Sequence, residues 1–165
     1  MVSAIIADWS REESQTFWDP GRRLLKSIRD YQRAVVPGDR GRLQLLRKII
    51  VLRHKFWSLV CQCEIDLRCS IGGGLLLTHP NGIVIHPDVV LGPNCLIFQQ
   101  VTLGQGGPIP GVPQIGGHVD IGAGANILGG VIIGNHVRIG ANAVVLSNVP
   151  EGATAVGVPA RIIQR

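Results

Sequence analysis

Charge is scarce in this sequence: of 165 residues only 16% are Asp, Glu, Lys or Arg, while 45% are hydrophobic. A disordered chain has the opposite balance, so a packed core is expected. Long apolar runs are missing too; no stretch approaches the ~18 residues of a spanning helix. No basic stretch leads into an apolar run at the first residues and Asp8 comes early, which speaks against a secretory leader and makes the cytoplasm the expected compartment. Glycine is nearly absent from the first sixty residues: only Gly21, Gly38 and Gly41 of 22 lie there, against six of the seven aromatics. Lysine is absent after Lys55. Residues 1–60 carry 12 Lys+Arg and 6 Asp+Glu, residues 61–165 carry 4 and 5, so net +6 and −1 combine to the +5 of the whole. Two regions of different physics are expected, a helical segment over 1–60 and a second domain over 61–165.

In the front segment, Asp19-Pro20 reads as a helix cap followed by proline at the first helical position. Leu24, Leu25, Ile28 and Tyr31 recur at helical spacing until Pro37-Gly38. A second helix is expected from Arg40 to Val60, its stripe of Leu46, Ile49, Ile50, Phe56, Trp57 and Val60 covering the second domain and its charges facing water. Contact with an anionic membrane surface is the competing reading for such a basic amphipathic helix. Nucleic acid is not expected, because no binding motif accompanies the arginines.

The second region is periodic. Ile115, Ile121, Ile127, Ile133, Ile139 and Val145 stand six apart, and Val119, Ala125, Val131, Val137, Ala143 and Val149 follow four later. Ile85, Leu91, Ile97 and Leu103 keep this phase; Ile65, Ile71, Leu77 and Ile83 repeat at six in a phase displaced by two. Neither a helix nor hairpins produce that period. A triangular coil of short strands does, with the aliphatic residue inward and the next residue, often glycine, turning the corner. Eighteen residues make one turn, so 65–150 supply between four and five. The stretch 104–114 lacks the pattern and reads as a loop leaving the coil, or as one further rung.

The hexads, with Leu77-Thr78-His79-Pro80-Asn81-Gly82-Ile83-Val84, Gln100-Val101-Thr102-Leu103-Gly104 and Gly157-Val158-Pro159-Ala160-Arg161-Ile162, resemble the serine acetyltransferase family of hexapeptide-repeat acyltransferases. The resemblance spans roughly residues 60–163. It implies a mainly β fold, a left-handed parallel β-helix behind a short N-terminal α-helical segment, assembled as a homotrimer. Acetyl-CoA is the implied acyl donor, and L-serine or a similar small hydroxyl compound the acceptor. By family position His79 is the general base, whose ordinary pKa suits proton abstraction near neutrality. Glu64 stands where the family has the aspartate that orients this histidine, and Asp66 is the neighbouring alternative. Thr78 falls on the acceptor side. Gly104, Ala123, Ala141 and Arg161 fall at cofactor-binding positions, Arg161 toward a CoA phosphate. No metal is expected.

Departures from the family keep the acceptor open. Thr78 replaces an aspartate, and Gly111-Val112 replaces an Arg-His pair before Pro113. The ionic contacts to serine are thereby lost, which favours a neutral acceptor such as a saccharide. The family's tail that docks on a sulfhydrylase has no counterpart here, so that complex is not expected, and a lone trimer is. Cys69 and Cys95 fall on interior positions and read as buried thiols. Cys61-Gln62-Cys63 lacks a second cysteine pair. His118 and His136, eighteen apart, should stack on successive turns. A metal-dependent hydratase is the remote alternative they raise, but a third ligand is not specified.

Overall fold

The computed structural model describes residues 2–34 and 42–163, leaving aside the side chains of Arg42 and Leu43. Helix α1 (Pro20–Ala34) and helix α2 (Arg42–Cys61) precede a parallel β-solenoid of about five turns. The first turn holds β1 (Glu64–Ile65), β2 (Ser70–Ile71) and β3 (Leu76–Leu77); the second, β4 (Val84–Ile85), β5 (Val90–Leu91) and β6 (Leu96–Ile97). The third holds β7 (Thr102–Gly104), β8 (Gln114–Ile115) and β9 (Asp120–Ile121); the fourth, β10 (Asn126–Leu128), β11 (Ile132–Ile133) and β12 (Arg138–Ile139). β13 (Val144–Val145) and β14 (Thr154–Val156) form the last, where β15 (Arg161–Ile163) folds back antiparallel on β14. Three sheets result, with orders β1-β4-β7-β10-β13, β2-β5-β8-β11 and β3-β6-β9-β12-β14-β15.

The hexad explains the core. Ile65, Ile85, Leu103, Ile127 and Val145 stack inward on one face, all nearly inaccessible, while the residue before each points out. A single rung could not bury this surface; each stacked neighbour supplies the missing side. Coil-to-coil steps also locate the irregularities. The step is 20 residues from Glu64 to Val84, 18 from Val84 to Thr102, 24 from Val90 to Gln114, and 18 again from Gln114 to Ile132. The six extra residues of the third step fall in the loop 105–113, which has no strand of its own. The two extra residues of the first step lie between Leu77 and Val84, around His79. They, and not a longer run of hexads, produce the phase displacement. Ile83 therefore fills a buried corner position before β4, and Ile85 is the inward residue in register with Ile65.

The corner residue differs from the one expected. Left-handed backbone occurs at the third position after the inward residue, at Asn94, Gln100, His118, His136 and Asn142, each with φ between 56° and 61° or at 52°. Glycine directly after the inward residue serves closeness instead. A Cβ on Gly92 would lie 2.5 Å from the backbone of Gly116 and Gly117 in the next coil.

Residues 2–12 form an arm along one corner. Ala4 is buried against Gly117, and Asn94 donates to the carbonyls of Ser3 and Ile6, both at 2.7 Å, while accepting from the Asp8 N–H at 2.8 Å. A 3-10 turn, Trp9–Glu12, then delivers Glu12 to the first coil. Its Oε1 accepts from the N–H groups of Gly74 and Leu75 and from Arg29 of α1.

Helix α1 starts at Pro20, as expected, with Asp19 accepting from the Arg22 N–H; the stop expected at Pro37-Gly38 lies outside the described residues. The orientation of α2 corrects the sequence reading. Ile50, His54 and Cys61 are its buried face, with Trp57 half-buried, whereas Leu46, Ile49, Phe56 and Val60 are exposed. On the buried side His54 sits between the Ser27 hydroxyl at 2.9 Å and the Ile65 carbonyl at 3.0 Å, so both ring nitrogens are engaged there.

Candidate active site

His79 projects from the two-residue insertion between β3 and β4. Its backbone is left-handed, φ 52°, immediately before Pro80, and its side chain is exposed. The turn is braced from two sides. Gly21, at the start of α1, packs so closely that a Cβ there would meet the Leu77 carbonyl at 3.1 Å and Pro80 Cγ at 3.2 Å. Asn81 donates to the Gln62 side chain at 2.9 Å, its carbonyl accepts from the Gln100 N–H, and Gly82 donates to the Gln62 carbonyl at 2.9 Å. Gly21, Gln62 and Asn81 escape a sequence reading; the only signal for them is the anomalous 20-residue step.

Glu64 and His79 are not joined within this chain. Neither side chain makes a hydrogen bond among the described residues. Glu64 points outward from β1 into a cavity of about 300 Å³ shared with His54, Lys55, Ser58 and Asp66. Asp66 is engaged elsewhere: it accepts from the Arg68 N–H and from its guanidinium at 2.9 and 3.1 Å, which holds the carboxyl below its ordinary pKa. Thr78 is half-buried in the same turn as His79.

The positions assigned to a donor fall into two groups. Ala123 and Ala141 occupy, two residues after Ile121 and Ile139, the same corner column that His79 begins two residues after Leu77. Arg161 opens β15 at the far end of the solenoid, exposed and without an ion pair among the described residues. Gly104 lies apart, at the end of β7 on the next corner, where the 105–113 loop departs and a Cβ would find nothing within 4 Å. That gap is the kind of space an extended thioester arm needs against a backbone.

The remaining candidates are structural in geometry. His118 and His136 stack as expected, their Nδ1 atoms 2.8 Å apart and engaged with each other. Among the described residues no three His, Cys, Asp or Glu side chains gather where one metal ion could be held. All four cysteines are buried and unbridged. Burial, aided by Cys63 and Asp19, pushes the Cys61 thiol up to about 12; burial likewise raises Cys69 and Cys95 to about 11. Thiols so held make poor nucleophiles.

Stacked hexads, left-handed third positions and glycine contacts between coils define a hexapeptide-type parallel β-solenoid. A bacterial transferase hexapeptide (six repeats) family model matches residues 113–147. The chain is similar to serine acetyltransferases: 44% identical over 111 residues to that of Buchnera aphidicola subsp. Schizaphis graminum (strain Sg), covering 66% of this chain and 42% of the relative. Against the chloroplastic serine acetyltransferase 1 of Arabidopsis thaliana it is 48% identical over 102 residues, 61% of this chain and 32% of that one. The chain thus spans less than half the length of these curated relatives. Among solved structures, soybean serine acetyltransferase complexed with serine matches with a TM-score of 0.72 at 36% identity, over 87% of this chain and 57% of that one. Serine acetyltransferase in complex with coenzyme A from Brucella abortus strain S19 matches with a TM-score of 0.73 at 34% identity, over 87% and 56%.

Proposed function

We propose that this chain is an acetyl-CoA-dependent O-acetyltransferase of the serine acetyltransferase type, moving acetyl from CoA to a hydroxyl of L-serine or a similar small acceptor. The observation that carries this reading is the likeness to coenzyme A-bound and serine-bound serine acetyltransferases over nearly nine-tenths of the chain. His79 is the general base. Its imidazole takes the hydroxyl proton as the oxygen attacks the thioester carbonyl; collapse of the tetrahedral intermediate expels the CoA sulfur, which receives that proton. Thr78 lies on the acceptor side. Gly104 gives the thioester room, Ala123 and Ala141 offer backbone polar groups to the pantetheine arm, and Arg161 faces a phosphate.

His79 and Gly104 lie on different corners of the coil, so a groove between copies would unite them where one chain does not. A homotrimer meets that need, with Glu64 as the assigned orienting carboxylate. Buried, unbridged cysteines suit a reducing compartment such as the cytoplasm. A saccharide acceptor is the second reading. Val112 packs against the core and Gly111 has no side chain, so this part of the loop offers an acceptor no charge.

Thiol release from acetyl-CoA, measured against L-serine and a panel of sugars, tests both readings. His79→Ala should lose at least 100-fold in kcat with CoA binding retained. Undiminished turnover in that variant would remove the assigned base, and silence of the wild type on every acceptor would remove the proposed reaction.

A further inference from the structure

Helix α2 carries a second apolar face that nothing among the described residues covers. Leu45, Ile49, Leu52, Phe56 and Leu59 follow one another at alternating steps of four and three, the spacing of a single helical seam. They are 66%, 56%, 70%, 52% and 77% exposed. Isolated exposed apolar residues are ordinary on a protein surface; a continuous row the length of a helix is not. At one end the row runs into an aromatic cluster, with Trp57 edge-on to Phe56 at 5.0 Å and to Trp18 at 5.7 Å. Trp18 and its neighbour Phe17 are 62% and 91% exposed.

Charge chooses the occupant. No acidic residue occurs between Arg42 and Cys61. Lys48 and Lys55 flank the seam, exposed and free of ion pairs among the described residues, although Lys55 also borders the cavity that holds Glu64 and Asp66. Arg53, on the other flank, is held by Asp30 of α1. Two such seams facing each other would set lysine against lysine with no carboxylate on α2 to answer them. An anionic surface answers both the apolar row and its cationic border. Crossing a bilayer is not open to this element, since no helix of the described chain is long and apolar enough. Its opposite side also holds Arg47, bonded to the Ala34 carbonyl, and the buried His54.

We propose that this face of α2 docks on anionic phospholipid bilayers, the helix lying in the plane of the headgroups with Leu52 and its row immersed and Phe17 and Trp18 anchoring the aromatic end. The acyltransferase coil then hangs from the membrane by its first turn.

The test is flotation of the full chain with vesicles of phosphatidylcholine alone and of equal parts phosphatidylcholine and phosphatidylglycerol, alongside light scattering of the free protein. The chain should float with the anionic vesicles, and far less with the neutral ones or at high salt. Lys48→Gln should weaken partitioning about fivefold, the worth of one lysine at such a surface. Leu52→Glu should abolish it while the thermal unfolding midpoint stays put, because that side chain touches solvent and not the core. Failure to float with anionic vesicles at low salt would overturn the proposal, as would flotation unchanged by Leu52→Glu. A wild-type assembly that Leu52→Glu splits, without any flotation, would assign the face to a second copy and overturn it equally.

Discussion

Replacing Glu12 by alanine should destabilise the chain strongly. The carboxylate and Arg29 are each only 9% exposed, and they meet at 2.8 Å. Glu12 also accepts from Gly74 N–H at 2.8 Å and Leu75 N–H at 3.1 Å, while Arg29 reaches the Ile71 and Gly72 carbonyls at 2.6 and 2.7 Å. Alanine at 12 leaves a buried guanidinium without its counter-charge and two N–H groups without an acceptor. Breaking a buried pair by removing one partner costs ~3–5 kcal/mol. For a chain of this length that corresponds to a fall of about 6–20 °C in the unfolding midpoint. The midpoint by circular dichroism is the primary assay. Fluorescence of Trp9, whose ring lies 5.2 Å under the Arg29 guanidinium, reports whether the arm detaches first. Adding Arg29→Met to Glu12→Ala should restore part of the loss, because the orphaned charge disappears with it. A Glu12→Ala protein within about 1 kcal/mol of wild type, or a double variant less stable than the single, would refute the reasoning.

Gly92→Ala forces apart two coils at a 2.5 Å backbone approach and should cost at least ~2 kcal/mol, read as a lower denaturant midpoint at unchanged slope. Gly21→Ala is subtler: its Cβ presses on Leu77 and Pro80 by a few tenths of an ångström, so transfer should slow severalfold while stability changes by less than ~1 kcal/mol. Unchanged kcat would deny that α1 positions His79. Burial holds His54 and His118 below their ordinary pKa, so the folded chain resists protons that the unfolded chain accepts. Their stabilisation is complete above about pH 6.5 and declines as pH falls through their lowered values. The urea midpoint should therefore drop between pH 7 and 5, and less so in His54→Gln; a flat profile contradicts this. Asp66, held low by Arg68, adds its own loss only further down, below about pH 4.

The solenoid was legible because its period is covalent. A residue that must point inward every sixth position writes itself into the sequence, and so does the loop where that demand lapses between Gly104 and Gln114. The site was legible only by likeness. Nothing in spacing marks His79 apart from the two-residue displacement, which a sequence reading sees as a change of phase and the coil reveals as an inserted turn. Asn94 and Glu12 left no trace, since their backbone partners stand 86 to 91 and 62 to 63 residues away.

What the amino-acid order determined by itself, then, is everything that depends on neighbours along the chain: two helices, the inward aliphatic every six residues, and the split between a basic front and a glycine-rich coil. Only the tertiary structure decided which side of α2 is buried, what holds the arm, and why glycine follows the inward residue. The physical reason is that each of these rests on competition between distant groups. His54 can lie buried because Ser27 and Ile65 satisfy both its ring nitrogens, and such partners are found only after the chain has folded.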